Sequence, residues 1–203
     1  MFVNGSVVFR EKDFVELEKA NLPSRLLQLN EDDKIHKRLS EYLNIGLELK
    51  IHQRYKCKLR NKWYIIPNIS TEPEAFFFKR CHHYPKLLKN ETNAFVTDSA
   101  YKISINAPYD LNSFIYSFYN SFTLTFAEID GRYYGGGVLE LTPNEFKNLP
   151  IPYSTIEEEL FNRFATKFEQ KDGIENLLME NDKLILGEFV GLSQKRNNQS
   201  SKN

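Results

Sequence analysis

Apolar positions along this chain change rhythm several times, and each change predicts a switch between helix and strand. Near the N-terminus a strand-like Val7-Val8-Phe9 precedes Phe14, Leu17 and Ala20 at helical spacing, and Pro23 breaks that pattern. Ile35, Leu39 and Leu43 then recur every four residues behind Glu31-Asp32-Asp33, which predicts a helix to about Asn44 that stops near Gly46. From Lys50 to Ile105 the rhythm shifts to short aromatic and β-branched runs, WYIIP, AFFFKR, NAFVT and YKISI, the composition of strands. Asp110 opens a helix from Leu111 to Phe126 that is aromatic and aliphatic along one side.

Gly135-Gly136-Gly137 then feeds a short strand containing Val138, Leu139 and Leu141, with Pro143 and Pro150 punctuating its end. Three consecutive glycines carry no Cβ, so the backbone can take positive φ and another backbone or a ligand can approach it closely. After Pro152 the pattern turns helical again: Ile156, Leu160, Phe164 and Phe168 fall four apart, followed by Ile174, Leu177, Leu178, Leu184, Ile185, Phe189 and Val190. Asp172 with Glu175 three residues later reads as the cap of that last helix. The polar end, residues 193–203, is expected to be disordered.

These shifts predict an α+β fold, with a mixed or antiparallel sheet from residues 50–105 plus a strand at 137–142, flanking helices and a helical C-terminal module. The expected divisions are an N-terminal helical lead-in at 1–49, a sheet domain at 50–152, a helical tail at 153–192 and a disordered end at 193–203.

The 203 residues suffice for a real core without covalent staples, and Cys57 and Cys81 have neither zinc-knuckle nor disulfide-framework spacing. Two reduced cysteines, an N-terminus unlike a signal peptide and no apolar run of membrane-spanning length give a cytoplasmic, non-membrane expectation. Net charge is zero, yet Lys50 to Asn90 holds ten Lys/Arg against Glu72 and Glu74, while sixteen acids face ten bases after position 90. Such clustering concentrates a polyanion even on a neutral protein. Arg54, Lys56, Arg60, Lys62, Lys79 and Arg80 are the candidates for phosphate contact, and Arg60, Arg80, Asn61 and Asn68 for base edges. For Trp63, Tyr64 and Phe76 to Phe78, core packing is favoured over stacking on bases.

No catalytic residues or metal ligands are assigned. The glycines at 135–137 lead into a strand, the reverse of the strand-turn-helix order that binds S-adenosylmethionine, and Asn106-Ala107-Pro108-Tyr109 misses the polar-Pro-Pro-aromatic pattern and reads as a turn before the Asp110 helix. Glu48-Leu49-Lys50 is a short match to the end of a metal-dependent nuclease site, and His82-His83 on a strand would point to opposite faces.

Taken in order, Tyr42-Leu43, Gly46, Tyr55-Lys56, Arg60, Trp63-Tyr64, Pro67, Phe77, Tyr84-Pro85, Asn90, Thr97-Asp98, Asn120-Ser121, Glu128, Gly131-Arg132, Tyr134 to Gly137 and Leu149-Pro150-Ile151-Pro152 make a pattern. The late segment Glu180-Asn181-Asp182 through Phe189-Val190-Gly191-Leu192-Ser193 continues it. Over most of residues 35–192 this resembles the C-terminal target-recognition region of adenine-specific (N6) DNA methyltransferases of bacterial restriction–modification systems. The resemblance implies a DNA-binding module without the catalytic domain, whose DNA-binding residues include Arg54, Lys56, Arg60, Lys62, Lys79, Arg80, Gly135, Gly136 and Gly137. It implies double-stranded DNA and a catalytic methyltransferase subunit as partners. S-adenosylmethionine is expected only on that separate domain or subunit, and no cofactor on this chain. The alternatives are a protein–protein adaptor without nucleic-acid binding and a small Mg²⁺-dependent nuclease acting through Glu48 and Lys50.

Overall fold

The computed structural model describes residues 6–67, 69, 73–170 and 173–189. The chain forms two compact units, one built from residues 1–21 and 72–203 and the other from 22–71.

In the first unit, strands β1 (Val8–Phe9), β2 (Ala75–Phe78), β4 (Leu87–Asn90) and β5 (Ala100–Ile103) form a sheet in the order β1-β4-β2-β5. β1 runs parallel to β4 and the other pairings are antiparallel. The Phe76-Phe77-Phe78 run is continuously apolar because this sheet is covered on both faces. Ala75, Phe77, Leu87 and Val8 point into the main core, whereas Phe76, Phe78, Leu88 and Phe9 point into a second cluster covered by Phe14 and Leu17 of helix α1 (Glu11–Lys19). Ions tie that helix down: Arg10 and Lys12 both pair with Glu169, the second at 3.0 Å, and Arg10 also reaches Glu91 at 3.1 Å.

A second, three-stranded antiparallel sheet has the order β3-β7-β6, with β3 at Arg80–Cys81, β6 at Arg132–Tyr134 and β7 at Val138–Glu140. The chain passes between the sheets at Lys79, whose amide donates to the Ser99 carbonyl (3.2 Å) while its carbonyl accepts from the Leu141 amide (2.9 Å).

Four expectations about elements need correction. The sheet does not begin at residue 50: Ile51–Gln53 is a 3₁₀ turn and Tyr55–Lys58 a short helix, α3, with Cys57 and Lys58 donating back to the Arg54 carbonyl. Local bonds satisfy this backbone, so it needs no strand partner. WYIIP forms no strand, and neither does NAFVT, where the Asn90 side-chain amide donates to the Pro73 and Ala94 carbonyls and the Thr92 hydroxyl accepts from the Ala94 amide. Side chains of this type offer the backbone an alternative to a sheet ladder.

Third, the strand at 137–142 belongs to the separate β3-β7-β6 sheet. Fourth, the helix expected at 111–126 is two helices, α4 (Leu111–Phe118) and α5 (Ser121–Asp130). Asp110 caps α4 as expected, accepting from the Ser113 amide at 2.7 Å, but Asn120 is a second cap and accepts from the Thr123 amide at 2.8 Å.

Helix α6 (Pro143–Asn148) follows β7 directly, started by Pro143 and a Thr142/Glu145 capping box. Its Phe146 stacks on Phe77, ring centroids 4.1 Å apart. α7 (Glu158–Glu169) buries Phe161, Phe164, Ala165 and Phe168 in the main core; of the expected Ile156, Leu160, Phe164 and Phe168 line, the last two are buried and the first two half-buried, with Ile156 ahead of the helix. α8 (Ile174–Asp182) runs on into a π-helical turn at Lys183–Phe189. Its N-cap is Gly173; the expected cap Asp172 and the end at 193–203 lie outside the described residues.

In the second unit, α2 (Lys37–Glu48) runs through Gly46 and ends at Leu49, with Lys50 in the left-handed conformation (φ 55°). Gly46 does not stop the helix; it makes room for Trp63. A Cβ at that position would lie 2.3 Å from the edge of the indole.

Candidate nucleic-acid interface

The nine residues expected to touch DNA divide between the two units. Lys79, Arg80 and the three glycines belong to the first, and Arg54, Lys56, Arg60 and Lys62 to the second.

In the first unit the structure brings the expected residues together around the three-stranded sheet. Arg80 stands opposite Glu140, and Glu140 stands opposite Arg132, so the two guanidiniums flank one carboxylate across three strands. Arg80 Nε donates to Glu140 Oε2 at 2.5 Å, and Arg132 Nε donates to Glu145 Oε1 at 2.7 Å. The side chains of Arg80 and Arg132 are 68% and 62% exposed, those of Glu140 and Glu145 only 15% and 16%. Each carboxylate is thus anchored on the protein side and holds its guanidinium out towards solvent. Glu145 also accepts from the Thr142 amide, and this bond, with the Arg132 contact, keeps its acid below the usual carboxylate range.

Alternation along the strands places Tyr134 on the same face as these arginines. It is half exposed, and the Arg80 guanidinium lies 5.9 Å from its ring centroid. Lys79 adjoins the row, with its ammonium over Tyr101 at 5.0 Å. Gly135 to Gly137 join Tyr134 to Val138 as the tip of the β6–β7 hairpin. Gly136 and Gly137 have φ of 80° and 73°, where a side chain would be strained by about 1–2 kcal/mol. A Cβ on any of the three would meet nothing within 4 Å. The glycines serve the turn, and leave its backbone open to a close approach.

In the second unit, Lys50 to Lys62 carries six bases and no acid. Arg54 and Lys58 are exposed. Arg60 and Lys62 also brace their own unit: Arg60 Nη1 donates to the Trp63 carbonyl at 3.4 Å, and Lys62 Nζ donates to the Glu31 carbonyl. Asn68 lies outside the described residues.

The remaining motifs come out as follows. Asn106 to Tyr109 is an exposed turn, closed by the Tyr109 amide on the Asn106 carbonyl, and the Tyr109 ring packs edge-on against Tyr153 at 4.9 Å. The glycine turn links two antiparallel strands rather than a strand and a helix. Glu48 and Lys50 are both exposed, and among the described residues no group of three or more His, Cys, Asp or Glu is placed to hold a metal ion. Both cysteines are free, and burial pushes the Cys81 thiol up to about 11. Among the described residues no helix is long and apolar enough to cross a membrane.

Charge clustering did not single out Arg132, Glu140 or Glu145. The available signal was strand alternation, which puts Arg132 and Tyr134 on one face just before the glycines, but their pairing with Arg80 needs the fold. Compared with known proteins, residues 2–186 match the family model described as "Type II methyltransferase M.Eco57I, C-terminal domain". No curated protein matches the chain.

Proposed function

Because the chain belongs to the Type II methyltransferase M.Eco57I C-terminal domain family, we propose that it is the target-recognition part of an adenine-specific DNA methyltransferase of a restriction–modification system and binds duplex DNA. The observation that carries the reading is the division of basic side chains into two kinds. The second unit presents a dense basic run, six bases with no acid among them from Lys50 to Lys62, suited to phosphate contact. The first unit presents two guanidiniums fixed by carboxylates beside an exposed tyrosine and an open glycine turn, suited to directional hydrogen bonds. Methyl transfer then depends on S-adenosylmethionine held by a catalytic domain or subunit, to which this region presents the target.

Binding of the full chain to a fluorescent duplex across a salt series tests the reading. Neutralising phosphates releases counterions, so the logarithm of the affinity should fall linearly with the logarithm of salt, with non-specific dissociation constants on the order of 10⁻⁶ to 10⁻⁴ M. Absence of binding at low salt, or binding indifferent to salt, would count against it.

A second reading, a protein–protein adaptor, draws on one observation. Tyr42, Ile45 and Leu49 follow one side of α2 and its end, and are 61%, 51% and 66% exposed. Such a face suits a protein partner, for which a catalytic methyltransferase subunit is the natural candidate.

A further inference from the structure

We propose that Arg80 and Arg132 discriminate guanines in the target duplex, presented from the two outer strands, β3 and β6, of the three-stranded sheet facing the major groove; this rests on the DNA-binding reading above and deepens it. The argument starts from charge. Arg80 and Arg132 are each matched by a carboxylate at hydrogen-bond distance, Glu140 and Glu145, so the row as a whole adds little net positive charge. A patch built to attract phosphate would not carry two acids that neutralise it. What the acids do provide is direction: each takes the Nε edge and thereby fixes the guanidinium plane, which leaves the Nη1/Nη2 edge to present to a ligand. Guanine offers N7 and O6 in the major groove as a planar pair of acceptors, the partner that a fixed guanidinium fork fits best.

The geometry suits a groove. The two arginines stand on one face of the sheet at either side of its central strand β7, turned to a groove roughly 12 Å wide, and the glycine tip of the β6–β7 hairpin adds no side chain to the leading edge. Arg80 and Arg132 lie two strand spacings apart, about 10 Å at the backbone, or roughly three base-pair steps. Tyr134 is exposed on the same face, beside the Arg80 guanidinium.

The test selects duplexes from a pool with a randomised stretch, using the full chain and its Arg80→Lys and Arg132→Lys variants, and sequences the bound fraction. Lysine keeps the charge and loses the planar fork. The parent should enrich two guanines about three base-pair steps apart. Each variant should relax one of them on the order of tenfold or more, leaving the salt dependence of bulk binding within about one unit of slope. Glu140→Gln, which keeps Arg80 and weakens its anchor, should relax the Arg80 position while thermal unfolding stays cooperative; it keeps the proposal testable if an arginine variant fails to fold. Identical motifs for parent and variants, or a parent motif without guanine, would overturn the proposal while the DNA-binding reading stands. A parent that binds no duplex at any salt would overturn both.

Discussion

The hydroxyl of Tyr119 takes both backbone groups of Leu87, accepting from its amide at 3.0 Å and donating to its carbonyl at 2.9 Å. The Lys89 amide points across to the Val7 carbonyl of the neighbouring strand, and two residues earlier the Leu87 groups face the same way. There the phenol supplies the partner that a strand would otherwise provide. Tyr119 is itself held at the α4–α5 break, where Asn181 donates to its carbonyl at 2.8 Å and Asp182 accepts from the Ser121 amide at 2.8 Å. One side chain thus ties the sheet to the helical end of the chain, and burial raises its pKa and keeps the hydroxyl protonated.

Tyr119→Phe should therefore cost more than an ordinary hydrogen bond. It strands a buried amide and a buried carbonyl, each worth about 1–3 kcal/mol when unpaired. Thermal or urea unfolding should show a loss of at least about 2 kcal/mol. A loss within about 0.5 kcal/mol, the range of a neutral surface change, would show that the bond pair does not hold the sheet edge.

Gly46→Ala should destabilise the second unit although alanine is the better helix former by about 1 kcal/mol. The added methyl would sit 2.3 Å from the Trp63 ring, which packs edge-on against Tyr64 at 5.6 Å. Overpacking of this kind costs about 1–3 kcal/mol. Trp63 is the single tryptophan in the chain, so its fluorescence reports on this unit alone. A shifted emission with lower stability is expected, and unchanged emission with higher stability would contradict the packing argument.

The Glu169 carboxylate gives the stability an acid limb. Burial pushes its pKa up, but the hydrogen bond and charge of Lys12 and the charge of Arg10 outweigh this, and the folded value lies below the ordinary 4.5. The stabilisation is present above the unfolded value and is lost as pH falls through the lower folded value. Glu169→Gln should flatten stability against pH below about 4.5 and cost under about 1 kcal/mol at neutral pH, because the pairs are near solvent. Denaturant unfolding across pH measures both, and a slope unchanged by the substitution would remove Glu169 from the acid limb.

Replacing Arg54 and Lys58 together by alanine should lower the salt slope of DNA binding by about one unit per phosphate contact removed. Lys167→Ala should leave it nearly unchanged, since Lys167 is already paired with Glu180 at 2.6 Å. Anisotropy titrations of the three proteins decide this; equal slopes would mean that the basic run is only a solvated face.

Much of this protein was legible from local pattern. The apolar stripe of α7, the Asp110 cap and the strand after the glycines follow from side-chain spacing and from acceptors at helix starts, which act within a few residues. The same local rules miss the break at Asn120, because the run from Leu111 to Phe126 stays apolar through it and the cap is itself fully buried. They also read Lys50 to Lys62 as strand, where short-range backbone bonds wind it into turns. The tertiary structure alone decided which charges meet. Arg80 and Glu140 lie sixty residues apart in sequence and become cross-strand neighbours only once β7 pairs with β3, and Arg132 joins them only through β6. Composition counts Arg80 with the bases of Lys50 to Lys62, whereas the fold places it in a different unit and gives it a carboxylate. Long-range register, set by burial of Leu139 and Leu141 in the core, thus takes a residue that the sequence left open between phosphate and base-edge contact and sets it against a carboxylate.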